Sequence, residues 1–323
     1  MIERGQYQVF KIYQLLPNRL KKHGLMIINN STSSAIHWWR PAAWLRVSGP
    51  DAAVFLQGQF TNELRHLASQ QAVYGLWLSV KGKVVADSFV LRGATSPDEF
   101  WIGSYFSRAE TIRARLESFI IADDVQLEDV THEWRAVTIF CAEDGAVAAA
   151  RTDEFIFAGR RGRELSIERV FRAADDERVR TEMGDRVELS EGEMTRRRLE
   201  AGIPAVPFDI GPADLPNEAR LETEAISFTK GCYLGQEVMA RLKSMGQVRR
   251  RLLRVGGSVR GELPELPAPL FAGSRQVGEL RTATSGNERV IGLAMLSLLH
   301  VQKETELSFA ASGEPRLSVL ETP

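Results

Sequence analysis

One of only two cysteines in this 323-residue chain stands in a run dense with reactive side chains, TKGCYLGQEVMARL (Thr229 to Leu242). A thiol acts as nucleophile, redox centre or metal ligand only as the thiolate, and a neighbouring cation or a helix N-terminus favours that form. Both are expected around Cys232. Lys230 lies two residues before it, and Leu234, Val238 and Leu242 recur every four residues, which predicts a helix with one apolar stripe from about Tyr233. Gly231 permits a tight turn that would put Cys232 at or near the first helical turn, in the positive field of the helix dipole. Glu237 and Arg241, four apart and in acid-before-base order, would add a helical pair. The plainer reading of the same residues is a small buried side chain at a helix start, with an ordinary surface ion pair behind it.

The rest of the composition narrows the setting. A chain this long exceeds one ordinary core, so two or three domains are expected. Its 44% hydrophobic and 26% charged residues are those of a globular protein, and a formal charge of −1 gives no global pull toward nucleic acid. Cys141 and Cys232 cannot build a disulfide framework, and no CxxC or HxxxH spacing marks a stable metal site. Two thiols are also too few to hold an iron–sulfur cluster without outside ligands. A reducing, cytoplasmic location is the expectation. Cys141, inside the apolar run VTIFCA, reads as a buried inert thiol. No stretch approaches the roughly 18 apolar residues of a membrane span, so no membrane partner is expected. The basic N-terminus has no apolar h-region, which argues against a secretory signal. It leaves open a transit peptide, a loosely docked extension over residues 1–38, or a start at Met26.

The reactive residues need elements to position them. AWLRVSG reads as a strand, and PDAAVFLQGQFTNEL as a helix with Pro50 in its first turn and Val54, Phe55 and Leu56 on its buried side. GLWLSVKGKVVADSFVLR reads as two strands turning through Lys81-Gly82-Lys83, FWIGSY as another strand, and SRAETIRARLESFIIADDV as a helix capped by Ser107. Between Glu128 and Leu189 come AVTIFCA, EFIFAG and ELSIERV, three strand candidates, with a charged helical stretch. After Val248 short strand-like runs broken by Gly, Pro and Asn predict a small antiparallel barrel or sandwich. Strands and helices alternate without a strict βαβ rhythm, so the fold class is α+β.

The motif KGCYLGQEVMAR resembles, at each defining position, the signature of the YgfZ family of folate-binding proteins, which are implicated in tRNA modification and iron–sulfur enzyme maintenance. Lys230, Gly231, Cys232, Tyr233, Gly235, Gln236, Glu237 and Arg241 carry the match. RRRLEAGIPAV, VSGPDAAVFLQGQFTNEL and KGKVVADSFVLR resemble further family segments, so the likeness runs from about Trp44 to the C-terminus. The wider superfamily is that of the glycine-cleavage T-protein. That likeness implies a three-domain ring around a central folate funnel. A folate-binding domain over residues 39–127 and 190–247 would be interrupted by an α+β domain over 128–189 and followed by a β-barrel domain over 248–323. T-proteins carry paired aspartates where this chain keeps Asp87 alone, which weakens the case for aminomethyl transfer.

The resemblance also implies roles. Tetrahydrofolate or a one-carbon derivative is the expected cofactor. Its flat pterin ring would need polar partners, for which Gln59 and Asn62 are candidates, and walls, for which Tyr74, Trp77 and Tyr105 are candidates, although each aromatic also suits core packing. Arg250, with Arg249, Arg251 and Arg254, could meet the glutamate tail or an RNA phosphate, or could simply be a solvated strand edge. Arg196, Arg197 and Arg198 read as the wet side of a helix. Cys232, aided by Lys230, would act either as a nucleophilic or redox thiolate near folate or as a transient ligand of an iron–sulfur species. The expected partners are folate and iron–sulfur assembly or client proteins, with a weaker case for tRNA. The alternative is a tetrahydrofolate-dependent one-carbon transferase or demethylase with Asp87 as its essential carboxylate.

Overall fold

Three sheets, almost wholly antiparallel, carry the chain in the computed structural model, which describes residues 35–68, 71–94, 96–140, 151, 153–258, 263–286 and 289–322. After β1 (Ala35–Trp39), the first sheet is built from β2 (Ala43–Ser48), β3 (Ala72–Leu78), β4 (Val84–Arg92), β5 (Glu99–Ser104) and β6 (Gln126–Asp129), in the order β3-β4-β5-β2-β6. Helices α1 (Ala52–Gln59) and α2 (Ala109–Glu117) cover one face, where Leu45, Val47, Phe55, Leu56, Ile112 and Leu116 make one core. Strand side chains alternate between faces. The opposite face of β2, β4 and β5 therefore turns Trp44, Phe89, Leu91 and Trp101 toward the second sheet, where they meet Trp134 and Phe155. The Trp44 and Trp134 rings meet at a tilt of 41°, with centroids 5.6 Å apart.

The second sheet has the order β10-β1-β7-β9-β8, with β7 (Trp134–Phe140), β8 (Phe155–Ala158), β9 (Ser166–Arg172) and β10 (Val187–Glu188). β1 is one of its strands, pairing with β7 from Ile36 to Trp39, so residues 35–38 belong to this sheet and not to an extension. The alternating Ile36 and Trp38 explain this, since they pack into a core with Phe171 and the helix α3 (Asp176–Met183). Helix α4 (Glu191–Ala201) follows, opened by a capping box between Ser190 and Glu193. A loop-rich segment then leads to α5 (Gln236–Met245).

The third sheet is the C-terminal barrel, with β11 (Arg250–Ser258), β12 (Ala268–Ala272), β13 (Arg275–Gly286), β14 (Arg289–Ser297), β15 (Glu306–Leu307) and β16 (Leu317–Val319) in the order β12-β13-β14-β11-β16-β15. Phe271 and Ser308 exchange two backbone hydrogen bonds of 2.9 Å, which tie the first strand of this order to the last. Among the described residues no helix is long and apolar enough to cross a membrane.

Two local expectations are corrected. Val54 is 77% exposed, because three consecutive helical residues cannot share one stripe and Phe55 and Leu56 take the buried one. Ser107 does not cap α2, whose cap residue is Arg108 with no side-chain cap bond; the Ser107 hydroxyl is committed elsewhere. Cys141 lies outside the described residues.

Candidate functional site

Asp87 sits mid-strand on β4, on the face turned toward the second sheet, and is 4% exposed. Its carboxylate is caged by hydroxyls. Tyr74 Oη donates to Oδ2 at 3.0 Å, while Ser104 Oγ and Ser107 Oγ donate to Oδ1 at 3.0 and 2.7 Å. Ser107 Oγ also accepts the Asp87 backbone N–H at 3.0 Å, which explains why it does not cap the helix. Burial pushes the Asp87 carboxyl up from its usual range, against the pull of these hydroxyls and of Arg160. Arg160 stacks 4.5 Å above the Tyr74 ring and is paired with Glu224.

Beside this cage lies a second buried carboxylate, Glu168 on β9. It accepts from Trp39 Nε1 at 3.0 Å, Thr138 Oγ1 at 2.7 Å and Tyr105 Oη at 2.9 Å. Tyr105 Oη in turn accepts the Arg160 backbone N–H at 3.1 Å, joining the two clusters. Arg161 is held between the rings of Trp39 and Tyr105, 4.4 and 3.8 Å from their centroids, with Nε 3.7 Å from Glu168 Oε1. Its Nε and Nη2 are buried with no hydrogen-bond partner. Burial holds the carboxyl of Glu168 and the phenol of Tyr105 above their usual ranges. The junction of the first two sheets is therefore a compact set of aromatic faces, hydroxyls, two carboxylates and two guanidinium groups.

The signature loop is tied to the end of α1 through its lysine. Lys230 is buried, and its Nζ donates to the carbonyls of Gln57, Phe60 and Asn62 at 2.8, 2.6 and 2.8 Å. These carbonyls end α1, so Lys230 satisfies them as a C-terminal cation does. Burial pulls its ammonium down to about 8. Lys230 is thus an anchor, with all three donors spent, and not an activating group beside the thiol. Asn62 continues the connection, since its Nδ2 donates to the carbonyls of Tyr74 at 2.9 Å and Glu224 at 3.1 Å. Its amide therefore ties strand to loop.

Cys232 is exposed and stands on the loop before α5. The helix begins at Gln236 and not at Tyr233, because Tyr233 to Gln236 closes a turn in which Gln236 N–H donates to the Tyr233 carbonyl at 3.1 Å and Gln236 Oε1 accepts the Tyr233 N–H at 3.3 Å. Gly235 holds φ +85° at the cap, and a Cβ there would meet the Ser79 carbonyl at 2.9 Å. Gly82, at φ +69°, admits Val238 from α5 just as closely. The two glycines let the signature helix dock on the β3–β4 turn. Tyr233 is core, packed with Leu76, Leu78 and Val84, and burial pushes its phenol up to about 12. Glu237 and Arg241 are exposed on α5.

Three more expected site residues are placed elsewhere. Trp77 is fully buried against Phe60, ring centroids 4.8 Å apart, and its Nε1 donates to Ser88 Oγ, so it is core and not a wall. Gln59 accepts from Arg115 Nη1 at 3.0 Å, joining α1 to α2. Arg250 is clamped by Asp214 and Glu218 at 2.9 and 2.7 Å. Arg198 is likewise buried on Asp209 and is not on a wet helix face. Sequence reading missed Arg160, Arg161, Glu168, Glu224 and Ser107. The one available signal was the run Gly159-Arg-Arg-Gly162, where a Cβ on Gly159 would meet Glu168 Oε1 and Ser166 Oγ at 2.4 Å. Among the described residues no group of His, Cys, Asp or Glu could hold a metal ion, so Cys232 has no companion ligand there.

Comparison with known proteins fits this architecture. The GCVT N-terminal domain family matches residues 41–156, and the CAF17 C-terminal beta-barrel domain family matches residues 249–320. The aminomethyltransferase T of the glycine cleavage system from Bartonella henselae superposes with a TM-score of 0.73 over 90% of this chain and 86% of its own, at 16% identity, which shows a shared fold. The iron–sulfur cluster assembly factor IBA57, mitochondrial, of Homo sapiens is 31% identical over 284 residues, covering 78% of this chain and 74% of the relative. A Neurospora crassa homologue of that mitochondrial factor is 31% identical over 69% of this chain, which spans only 54% of the relative's length. The tRNA-modifying protein YgfZ of Hamiltonella defensa is 26% identical over 66% of this chain and 67% of its own. The mitochondrial relatives overturn the cytoplasmic location expected from the cysteines. A low cysteine count reports a reducing compartment, and the cytoplasm is not the only one. From residues 41 to 320, by sequence and by fold, the chain belongs to the YgfZ/IBA57 family.

Proposed function

We propose that this chain is a folate-binding accessory factor in iron–sulfur cluster assembly, with the ring of a reduced folate at the Asp87 cage and Cys232 as the point where an iron–sulfur species touches the chain. The observation that carries this reading is the pairing of a rigidly anchored loop with an exposed, uncompanioned thiol: Lys230 pins the loop, and Cys232 projects from it. A cluster held there takes its remaining ligands from a donor or client protein, as a transfer intermediate requires.

The residues fit a folate. A carboxylate has about four acceptor sites, and three hydroxyls occupy the cage at Asp87, so acceptor capacity remains for a ring N–H. Arg161 brings two buried nitrogens without partners, Nε and Nη2, to the same junction. A bound tetrahydrofolate supplies a reduced ring and, as its derivative, a one-carbon unit. The chain's own part is to orient the ring through Asp87, stack Tyr74 and Tyr105 near it, and exclude water. A direct tRNA role is less well supported, because Arg250 and Arg254 are tied to carboxylates within the chain. The second reading, a one-carbon transferase, draws on the buried position of Asp87 alone.

Anaerobic calorimetry with tetrahydrofolate, alongside activation of an iron–sulfur client enzyme by wild type and Cys232→Ser, tests the reading. Saturable one-to-one binding in both proteins, with client activation lost only in the variant, is expected. No binding up to millimolar ligand, or full client activation by the variant, would sink it.

A further inference from the structure

β1 and β7 run antiparallel with Trp38 opposite Val137 and Trp39 opposite Ala136, which makes Arg40 and Arg135 the next opposed positions. Like charges directly opposite across a strand pair repel. A third guanidinium joins them, because Arg180 on α3 stacks 4.3 Å above the Trp38 ring. All three arginines line one cavity of about 170 Å³ at this end of the second sheet, together with Trp38, Trp39 and Asp176. That volume is below the roughly 300 Å³ of a small-ligand site, so the cavity seats one group and leaves the rest of a molecule outside.

The charges on the wall do not balance. Asp176, the one carboxylate among the lining residues, is paired with Arg180 at 2.8 Å. Arg135 spends Nη1 on the carbonyls of His132 and Trp134, at 3.1 and 2.8 Å. Among the described residues neither Arg135 nor Arg40 has an ion-pair partner. Two uncompensated positive charges therefore face the cavity.

The surroundings narrow the ligand. Each tryptophan already carries a guanidinium on a face, Arg180 on Trp38 and Arg161 on Trp39, and has an aromatic neighbour, Phe171 and Tyr105 respectively. The pocket thus offers charge and not the stacking platform that single-stranded nucleic acid uses. Asp175, Asp176 and Glu177 stand at the start of α3, and Glu133 is held by the arginine that covers Trp134. A long polyanion would meet these carboxylates beyond the pocket, whereas a compact anion would not.

We propose that this cavity binds the phosphate group of a small phosphate monoester, seated between Arg40 and Arg135 with Arg180 beside it. A monoester approaches a dianion at neutral pH and matches the two free charges, while a carboxylate or a phosphodiester carries one. Guanidinium groups hold phosphate oxygens through paired, charge-assisted bonds. The site is independent of the folate reading above.

The test measures binding of methyl phosphate, dimethyl phosphate and acetate to the full chain at neutral pH and fixed ionic strength, by calorimetry and by the rise in Tm. Methyl phosphate should bind saturably and at least about tenfold tighter than either monoanion. Arg40→Gln and Arg135→Gln should each weaken it about tenfold. Without ligand, Arg40→Gln should not lower Tm, since it relieves a like-charge contact. Asp176→Asn, which removes the competing carboxylate, should tighten methyl phosphate binding severalfold, an outcome that misfolding cannot mimic. No saturable binding by wild type up to about 10 mM methyl phosphate, equal binding of dimethyl phosphate, or unchanged affinity in both arginine variants overturns this inference. None of these outcomes touches the folate site, which tetrahydrofolate calorimetry reads separately.

Discussion

Asp87 and Asp214 are both buried aspartates at a junction between sheets, and they are held in opposite ways. Asp214 is neutralised by cations: Arg250 Nη2 donates to Oδ1 at 2.9 Å, both Arg281 nitrogens approach at 3.4 Å, and Gly211 N–H donates to Oδ2 at 2.8 Å. Its own carbonyl accepts the N–H of Val84 at 3.1 Å, so it bolts the barrel strands β11 and β13 to the β3–β4 turn. Asp87 has hydroxyls where Asp214 has guanidinium groups, and its nearest cation is turned to a phenol ring and to Glu224. A carboxylate saturated by arginines has little left for a ligand. One caged by hydroxyls keeps both an unneutralised charge and partners that can reorient. The first is a fastener and the second is a receptor.

Removing the fastener should have the largest effect on stability. Asp214→Ala removes the buried anion that Arg250 and Arg281 share and leaves each with one other carboxylate, Glu218 and Glu279, and a loss of about 3–5 kcal/mol is expected in urea unfolding. A loss below about 1 kcal/mol would mean that Asp214 clamps nothing. Lys230→Met should follow at about 2–4 kcal/mol, since three carbonyls lose their donor together. Faster amide hydrogen exchange over residues 229–235 should accompany it, and unchanged exchange would show that the loop is held by other contacts.

Asp87→Asn should sharpen the contrast from the other side. Tetrahydrofolate affinity should drop roughly 10- to 100-fold, the worth of one charged hydrogen bond, measured by calorimetry. Stability should not drop at neutral pH. Because burial raises the Asp87 pKa above its unfolded value, the folded state binds the proton more tightly than the unfolded chain does. The wild-type contribution is therefore present below the unfolded value of 3.8 and is lost as pH rises through the raised folded value. The Asn variant should match or exceed wild type in Tm at pH 7, and that advantage should vanish on acidification. A constant Tm difference across pH would remove the burial account of Asp87. If one-carbon transfer is the activity, this variant also abolishes it, whereas support of iron–sulfur clients persists under the leading reading. Cys232→Ser should change stability least, within about 0.5 kcal/mol, because an exposed loop thiol supports no packing. A cost above about 1 kcal/mol would show that Cys232 is structural.

What was legible in the chain was whatever depends on short-range pattern. Alternation marked β2, apolar strand-like runs marked β4, β5, β7 and β9, the Lys81-Gly82-Lys83 turn marked the hairpin, and frequent Gly and Pro marked the barrel. The signature run identified the family by the types and spacing of its residues, among them Gly235, whose positive φ the docking of α5 requires. Partner choice over long separations was not legible. Asp87 meets Ser107 twenty residues on, Tyr105 meets Glu168 sixty-three residues on, and Lys230 meets Phe60 one hundred and seventy residues back. The start of α5 slipped by three residues because an apolar repeat cannot announce a glycine at positive φ. The roles of the arginines in one run diverged for the same reason. Arg250 and Arg251 are neighbours in sequence and point to opposite faces of β11, where one finds two carboxylates and the other a cavity. Sequence alone determined which elements form and which family they compose. Only the tertiary structure decided which charges are neutralised and which remain open to a ligand, because neutralisation depends on contacts between strands and loops far apart in the chain.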